Sequence, residues 1–302
     1  MKRNPYFDNA KFILIFLVVL SHAISKLNGI NPSTQALYCL LYSFHITCLF
    51  FISGYFAKPD KNKLLTFMQY IVPYLIFQPF CIMPNGITLY SLFVPEYLMW
   101  FILVLMYYQL SLSVFKHNLK LFTVLAIVAS IFIGDLKAGT FLDLYRAVFY
   151  LPFFLVGYLT RINNFKFDFS IRQKYISVAI FLAMPLLYFH TPAMQAIILH
   201  ADTIGARAGL YLVVAVVSCA FFCLAPKSEL PFTQLGRNTL YVYLLHWIMI
   251  PLLLSGITSP VLLLIGSAVI TIFLSTGLVK STTWFIIEPH YIIKKKRPNA
   301  PP

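Results

Sequence analysis

Apolar residues run along this chain in long blocks separated by short polar breaks, and the blocks continue almost from end to end. Ten can be read, at about residues 10–28, 36–57, 64–83, 96–114, 119–136, 141–159, 174–190, 207–225, 239–256 and 260–280. Each is close to the roughly 20 apolar residues that a helix needs to cross the ~30 Å hydrocarbon layer of a bilayer. Pro73, Pro79, Pro152, Pro185 and Pro251 fall inside them and predict kinks, which are tolerated where neighbouring helices satisfy the freed backbone groups. The pattern predicts an all-α, polytopic integral membrane protein with about ten transmembrane helices. Residues 1–302 are expected to form a single membrane-embedded domain, with Ser281 to Tyr291 at an interface and a basic, disordered tail over 292–302.

Composition agrees with that pattern. Of the 302 residues 60% are hydrophobic and only 11% charged, against roughly a quarter charged in a soluble domain, so no room is left for one. A net charge of +14 would point to nucleic acid if it lay on a soluble surface. Instead Lys2/Arg3, Lys58/Lys61/Lys63, Lys116/Lys120, Arg161/Lys166/Arg172/Lys174, Lys227/Arg237 and Lys294–Arg297 gather between alternate blocks. Residues 84–95, 191–206 and 256–259, in the opposite connections, contain no Lys or Arg. Positive charge marks cytoplasmic segments, so both termini are expected in the cytoplasm, and an even span count agrees. No nucleic-acid partner is expected. Cys39, Cys48, Cys81, Cys219 and Cys223 all lie in apolar blocks and read as small packing residues. Cys219 and Cys223 have no His or carboxylate beside them at ligand spacing, so no metal is expected. Lys2 and Arg3 ahead of the first block imitate a signal peptide, but the block's length, Asp8 and the later spans argue that it is retained.

The first block, YFDNAKFILIFLVVLSHAI, carries the residues a bilayer tolerates least: Asp8, Lys11 and His22. Lys11 and His22 are eleven positions apart, almost a whole number of turns. Both therefore face one side of the helix, about 16 Å apart along it. Lys11 is placed near the cytoplasmic interface, where snorkelling to headgroups beside Asp8 is the alternative to a functional role. His22 is placed past the middle of the bilayer, as a functional group or as a polar bridge between helices. The second block, LLYSFHITCLFFISGYF, puts His45 at a similar depth. A short connection makes the two helices antiparallel neighbours, so His22 and His45 are expected to line one cavity unless His45 is a packing residue.

The stretch YFDNAKFILIFLVVLSH followed by SFHITCLFFISGYF resembles the opening of acyltransferase family 3, the integral membrane O-acyltransferases. Within it, the likeness is to bacterial fucose 4-O-acetylase-like acetyltransferases. EYLMWFILVLMYYQL, LPFFLVGYL and LGRNTLYVYLLHW follow in the same order, so the resemblance covers nearly the whole chain, and the ten-span plan is shared. The family's signature is a basic residue, usually Arg, with ten residues between it and a His in the first span. His22 matches, while Lys11 stands where Arg is usual, keeping the charge without the planar fork. The resemblance implies acyl-CoA, most simply acetyl-CoA, as donor. It implies a hydroxyl of an extracytoplasmic glycan or lipid-linked sugar as acceptor, and the plasma (inner) membrane as location. His22, Lys11 and His45 are the catalytic candidates. Imidazole, with an ordinary pKa near 6.5, is the commonest side chain for moving the proton of an alcohol. Direct deprotonation by His22 and relay of the acyl group through it both remain open. CoA is polyanionic, which makes Lys11, Lys58, Lys61, Lys63 and Arg237 candidate docking charges; for the loop lysines, topology alone is the simpler explanation.

Glu96 opens the fourth span one turn before Trp100, a pair suited to holding a sugar hydroxyl and its ring; an interface carboxylate and a belt tryptophan look the same. Arg146 either orients Glu96 or the acceptor, or pairs with Asp143 at i, i+3. Glu96, Trp100 and Arg146 are the substrate-binding candidates. Arg237 and Asn238 open the ninth span, where free N–H groups suit phosphate. Tyr243 and His246 in that span form either a second polar cluster or a packing pair. His117, His190, His200 and His290 look incidental. The competing functions are a transporter for a small polar substrate, with broken helices at the midplane, and an inert family member acting as a sensor or scaffold.

Overall fold

The computed structural model describes residues 4–27, 31–59, 62–83, 86–132, 141–199 and 203–288. Lys2, Arg3, Lys61, His200, His290 and the predicted basic tail lie outside the described residues. Among the described residues 82% are helical and none is in a strand. In chain order the helices are α1 (Pro5–Ile24), α2 (Pro32–Tyr42), α3 (His45–Phe56), α4 (Lys63–Ile82), α5 (Met99–Phe115), α6 (Leu119–Phe132) and α7 (Leu144–Ile162). They continue with α8 (Ile171–His190), α9 (Pro192–Leu199), α10 (Ile204–Leu224), α11 (Thr239–Leu254), α12 (Pro260–Leu274) and α13 (Gly277–Ile287).

Local sequence explains most of the starts. The Asn4 side chain accepts from Tyr6 N ahead of α1 and Asn31 from Ser33 N ahead of α2, each followed by Pro at the first helical position. Asn62 caps α4, Thr203 caps α10, and Ser170 with Gln173 forms a reciprocal capping box on α8.

Among the described residues, six helical stretches are long and apolar enough to cross a membrane: Pro5–Leu27, Pro32–Phe56, Lys63–Ile82, Met99–Phe132, Phe141–Ile162 and Ile204–Leu224. A seventh arises if α12 and α13, bent by 70° at Ser275–Thr276, act as one. This is a membrane protein, but the count of about ten is not reached by length and apolarity. The fourth and fifth predicted spans form one helical stretch with a 3-10 turn at Lys116–Asn118. The ninth, α11, has 16 residues and rises only about 24 Å. The seventh, α8, opens on Arg172, Gln173 and Lys174 and is not among the six. Within the single span Pro32–Phe56 the helix is interrupted: α2 ends at Tyr42, Ser43 turns back onto Leu40 through backbone and hydroxyl, and α3 restarts at His45.

The chain divides into two compact units, Met1–Ile52 with Thr160–Thr276, and Ser53–Leu159 with Gly277–Pro302. In the first, α2, α11, α12 and the 3-10 turn Leu235–Arg237 pack on α1, and α8 packs on α2 and α10. Buried residues occur on every side of α1, as befits a helix apolar all round. The segment between α10 and α11 is fastened to its start. Asn9, fully buried, donates to the Pro226 and Ser228 carbonyls at 3.0 and 2.8 Å and accepts from Thr233 Oγ1 at 2.6 Å. Tyr6 donates to the Phe222 carbonyl at 2.7 Å, and Phe12 stacks on Phe232. Lys227 adds an exposed ion pair at 2.6 Å with Asp168, whose carboxyl this hydrogen bond holds below its usual range.

In the second unit α4 packs along α5, and Gly54 in the last turn of α3 lies directly on the Phe154 backbone of α7. Buried Gln78 of α4 donates to the Ser91 and Val94 carbonyls and accepts from Glu96 N, tying down the connection to α5.

Candidate active site

Helix α1 carries a polar cluster at each end, both within the first unit. At its start, buried Asp8 accepts from Lys11 at 2.8 Å and lies 3.8 Å from Nε of Arg237. Arg237 reaches this carboxylate because the turn Leu235–Arg237 sits against α1: a Cβ on Gly236 would fall 1.9 Å from the Asp8 carbonyl oxygen. Lys11 and Arg237 both keep part of their surface open, so two cations surround one carboxylate and the site is net positive.

At the far end, three turns on, stands His22. It is half-buried, and its ring lies 5.2 Å from that of His246 on α11, tilted by 42°. His45 is buried at the first residue of α3, within electrostatic reach of His22. Its Nδ1 donates to the carbonyl of Leu41, the last turn of α2, so the side chain bridges the break in the second span. Tyr42 packs edge-on against His45, and Tyr38 against Tyr42. The nitrogen that bonds a carbonyl must carry the proton, leaving Nε2 of His45 as an acceptor. His246 repeats the arrangement: Nδ1 lies 2.9 Å from the Val242 carbonyl, and buried Nε2 has no partner among the described residues. Beyond this cluster Lys26 donates to the Leu254 and Ser255 carbonyls and so caps the end of α11.

His45 comes within electrostatic reach of His22, and the ring of His246 stands beside that of His22. His246 was read as a second cluster or a packing pair because Tyr243, three residues before it, is its neighbour in sequence; the ring of Tyr243 is 6.2 Å away, farther than that of His22. Asn9 and Gly236 had no assigned role. The periodicity of α1 singles out charged residues, whereas Asn9 acts through a segment more than 200 positions later.

The remaining candidates belong to the second unit. Lys58 is exposed and lines a cavity of about 360 Å³ whose wall is divided between polar residues such as Ser53, Thr66, Gln69 and Gln109 and apolar ones such as Phe56 and Leu105. Lys63 is the exposed first residue of α4. Arg146 pairs with fully buried Asp143 at 2.6 Å and places its guanidinium 4.6 Å from the Trp100 ring centre. Tyr150 stacks on the same indole at 5.5 Å, so Trp100 is engaged by α7. Glu96 is half-buried, with its amide on Gln78; among the described residues the ion pair of Arg146 is with Asp143, not Glu96. Leu142 and Asp143 both have positive φ (58° and 50°), a strained entry into α7. No metal-ligating cluster occurs among the described residues.

A family model described as an acyltransferase domain matches residues 4–280, nearly the whole chain and both clusters on α1. No curated protein and no solved structure matches the chain.

Proposed function

The chain belongs to acyltransferase family 3 and is a membrane acyltransferase; from that premise we propose that it acts as an O-acetyltransferase of the plasma membrane. It takes an acetyl group from cytosolic acetyl-CoA to a hydroxyl of an extracytoplasmic glycan or lipid-linked sugar, in the manner of the fucose 4-O-acetylase-like subgroup. The ten-span topology with both termini cytoplasmic belongs to the same reading, with α5 and α6 as separate spans and α8 and α11 as two more.

The observation that carries it is the half-open imidazole of His22 within a buried histidine cluster, on a helix whose other end gathers Lys11 and Arg237. Those cations suit the phosphates of CoA. The roughly 16 Å of helix between them and His22 is the path that a pantetheine arm would follow. His22 then removes the proton of the acceptor hydroxyl as its oxygen attacks the acyl carbon; the C–S bond breaks, and the thiolate leaves with that proton. His45 lines the same site. Lys58, Lys61 and Lys63 as docking charges and Glu96, Trp100 and Arg146 as acceptor contacts fall in the second unit and are proposed from the sequence alone.

Mass spectrometry of envelope glycans tests the reading in cells lacking the gene and complemented with wild type or His22→Ala. Acetyl esters restored by wild type but not by the variant are expected. Identical acylation in all three strains refutes the function.

A further inference from the structure

His246 has features that packing alone does not require. Its Nδ1–H is committed to the Val242 carbonyl one turn earlier, which leaves Nε2 as a bare acceptor. That nitrogen is buried and has no partner among the described residues. An unpaired buried acceptor is unfavourable, and it is explained where a donor arrives during function. The neighbouring ring is that of His22, with centroids 5.2 Å apart. Two imidazoles joined by an N–H···N bond of about 2.9 Å have centroids roughly 5 Å apart, so the spacing already suits such a bond.

We propose that His246 is a positioning residue that accepts, through Nε2, the N–H of the His22 ring. The assignment rests on the reading of His22 as the base. One nitrogen of His22 points its hydrogen at His246, so the other is the free acceptor facing the substrate hydroxyl. When the hydroxyl proton reaches that nitrogen, His22 is an imidazolium and the bond to His246 becomes charge-assisted. As the C–O bond forms and C–S breaks, the proton leaves with the thiolate; His246 neither gains nor loses one. An acceptor with a fixed tautomer orients the base and supports its charge without competing for the proton.

The test uses the full chain in nanodiscs with a lipid extract of its own cells and acetyl-CoA as probe, following release of the CoA thiol. His246→Phe fills the site without an acceptor, whereas His246→Gln keeps an amide oxygen near the place of Nε2. The Phe variant is expected to lose about 10- to 100-fold in kcat, at unchanged KM for acetyl-CoA, with Gln recovering most of the loss. Full kcat in His246→Phe, or Gln no better than Phe, overturns the proposal. Should His22→Ala turn over normally, the assignment of the base falls; an inert His22→Ala beside a fully active His246→Phe removes the pairing alone. A second measurement needs no turnover. In bilayers, the histidine-labelled chain is expected to show a 15N–15N coupling across a hydrogen bond between His22 and His246, lost in His246→Gln. Its absence at every pH between about 5 and 8 also overturns the pairing.

Discussion

Gly236→Ala adds one carbon at the point where the turn Leu235–Arg237 meets α1. That carbon would stand 1.9 Å from the Asp8 carbonyl oxygen and 2.7 Å from its carbonyl carbon, whereas real contacts begin near 3.0 Å. The obstacle is helical backbone, which cannot rotate aside, so the turn must retreat by about 1 Å. The bonds of Asn9 to Pro226, Ser228 and Thr233, now 2.6 to 3.0 Å, would stretch to the limit of hydrogen bonding or beyond. Each contributes on the order of 1 kcal/mol, and part of the retreat can be absorbed between residues 233 and 236, giving a loss of about 2–3 kcal/mol. For a chain of this size that is a fall of roughly 3–5 °C in unfolding midpoint. The buried thiols of Cys39, Cys48 and Cys81 provide the readout, since a thiol-reactive dye reports their exposure on heating the protein in detergent. Gly209→Ala is the control. Its new carbon meets nothing within 4 Å on helix α10, and the substitution should be neutral or slightly stabilising. Equal midpoints for Gly236→Ala and wild type would refute the close approach, and with it the means by which Arg237 reaches Asp8.

Asn9→Ala leaves two carbonyls and the Thr233 hydroxyl without their buried partner and should lower the same midpoint as much as Gly236→Ala; Asn9→Asp, which turns a carboxylate oxygen on those carbonyls, should be at least as damaging, and a wild-type midpoint for Asn9→Asp would contradict the hydrogen-bond assignment. Arg237→Ala is expected to raise the KM for acetyl-CoA about tenfold at low salt with kcat nearly unchanged, as removal of a binding charge should. Thiol-release kinetics with an unaltered KM would take Arg237 out of the docking site.

Periodicity made α1 legible. A whole number of turns separates Lys11 from His22, and the helix places them at its two polar clusters as that spacing requires. Hydrophobic length was a weaker guide. It gave α2 and α3 as one span, as the structure does, but nothing in SFHIT signals the turn at Ser43 that interrupts the helix within it. It also carried α11 to Gly256, two residues past its end at Leu254. Contacts distant in sequence were out of reach. His246 comes beside His22 because α11 packs on α1. Asp143 and Arg146 were correctly seen as a possible i, i+3 pair, since that contact is local.

Lys11, the departure from the usual Arg, changes meaning once Asp8 is considered with it. Alone, a lysine at this position has lost the planar fork that grips a phosphate. In the fold, Asp8 takes the Lys11 ammonium on Oδ1 at 2.8 Å and has the Arg237 guanidinium beside Oδ2 at 3.8 Å. The second distance is too long for a strong bond, and Arg237 remains 41% exposed, so its fork is not consumed by the carboxylate. Lysine neutralises the buried Asp8 as a compact charge, and the arginine is left to face outward. A guanidinium thus stands at the start of α1 even though α1 does not carry it. Two sequence features 226 positions apart, the basic residue of the first span and LGRN before the ninth, form one cationic site. Lys11 balances the charge of Asp8, and on the proposed function the open guanidinium of Arg237 is the group left to meet the anion.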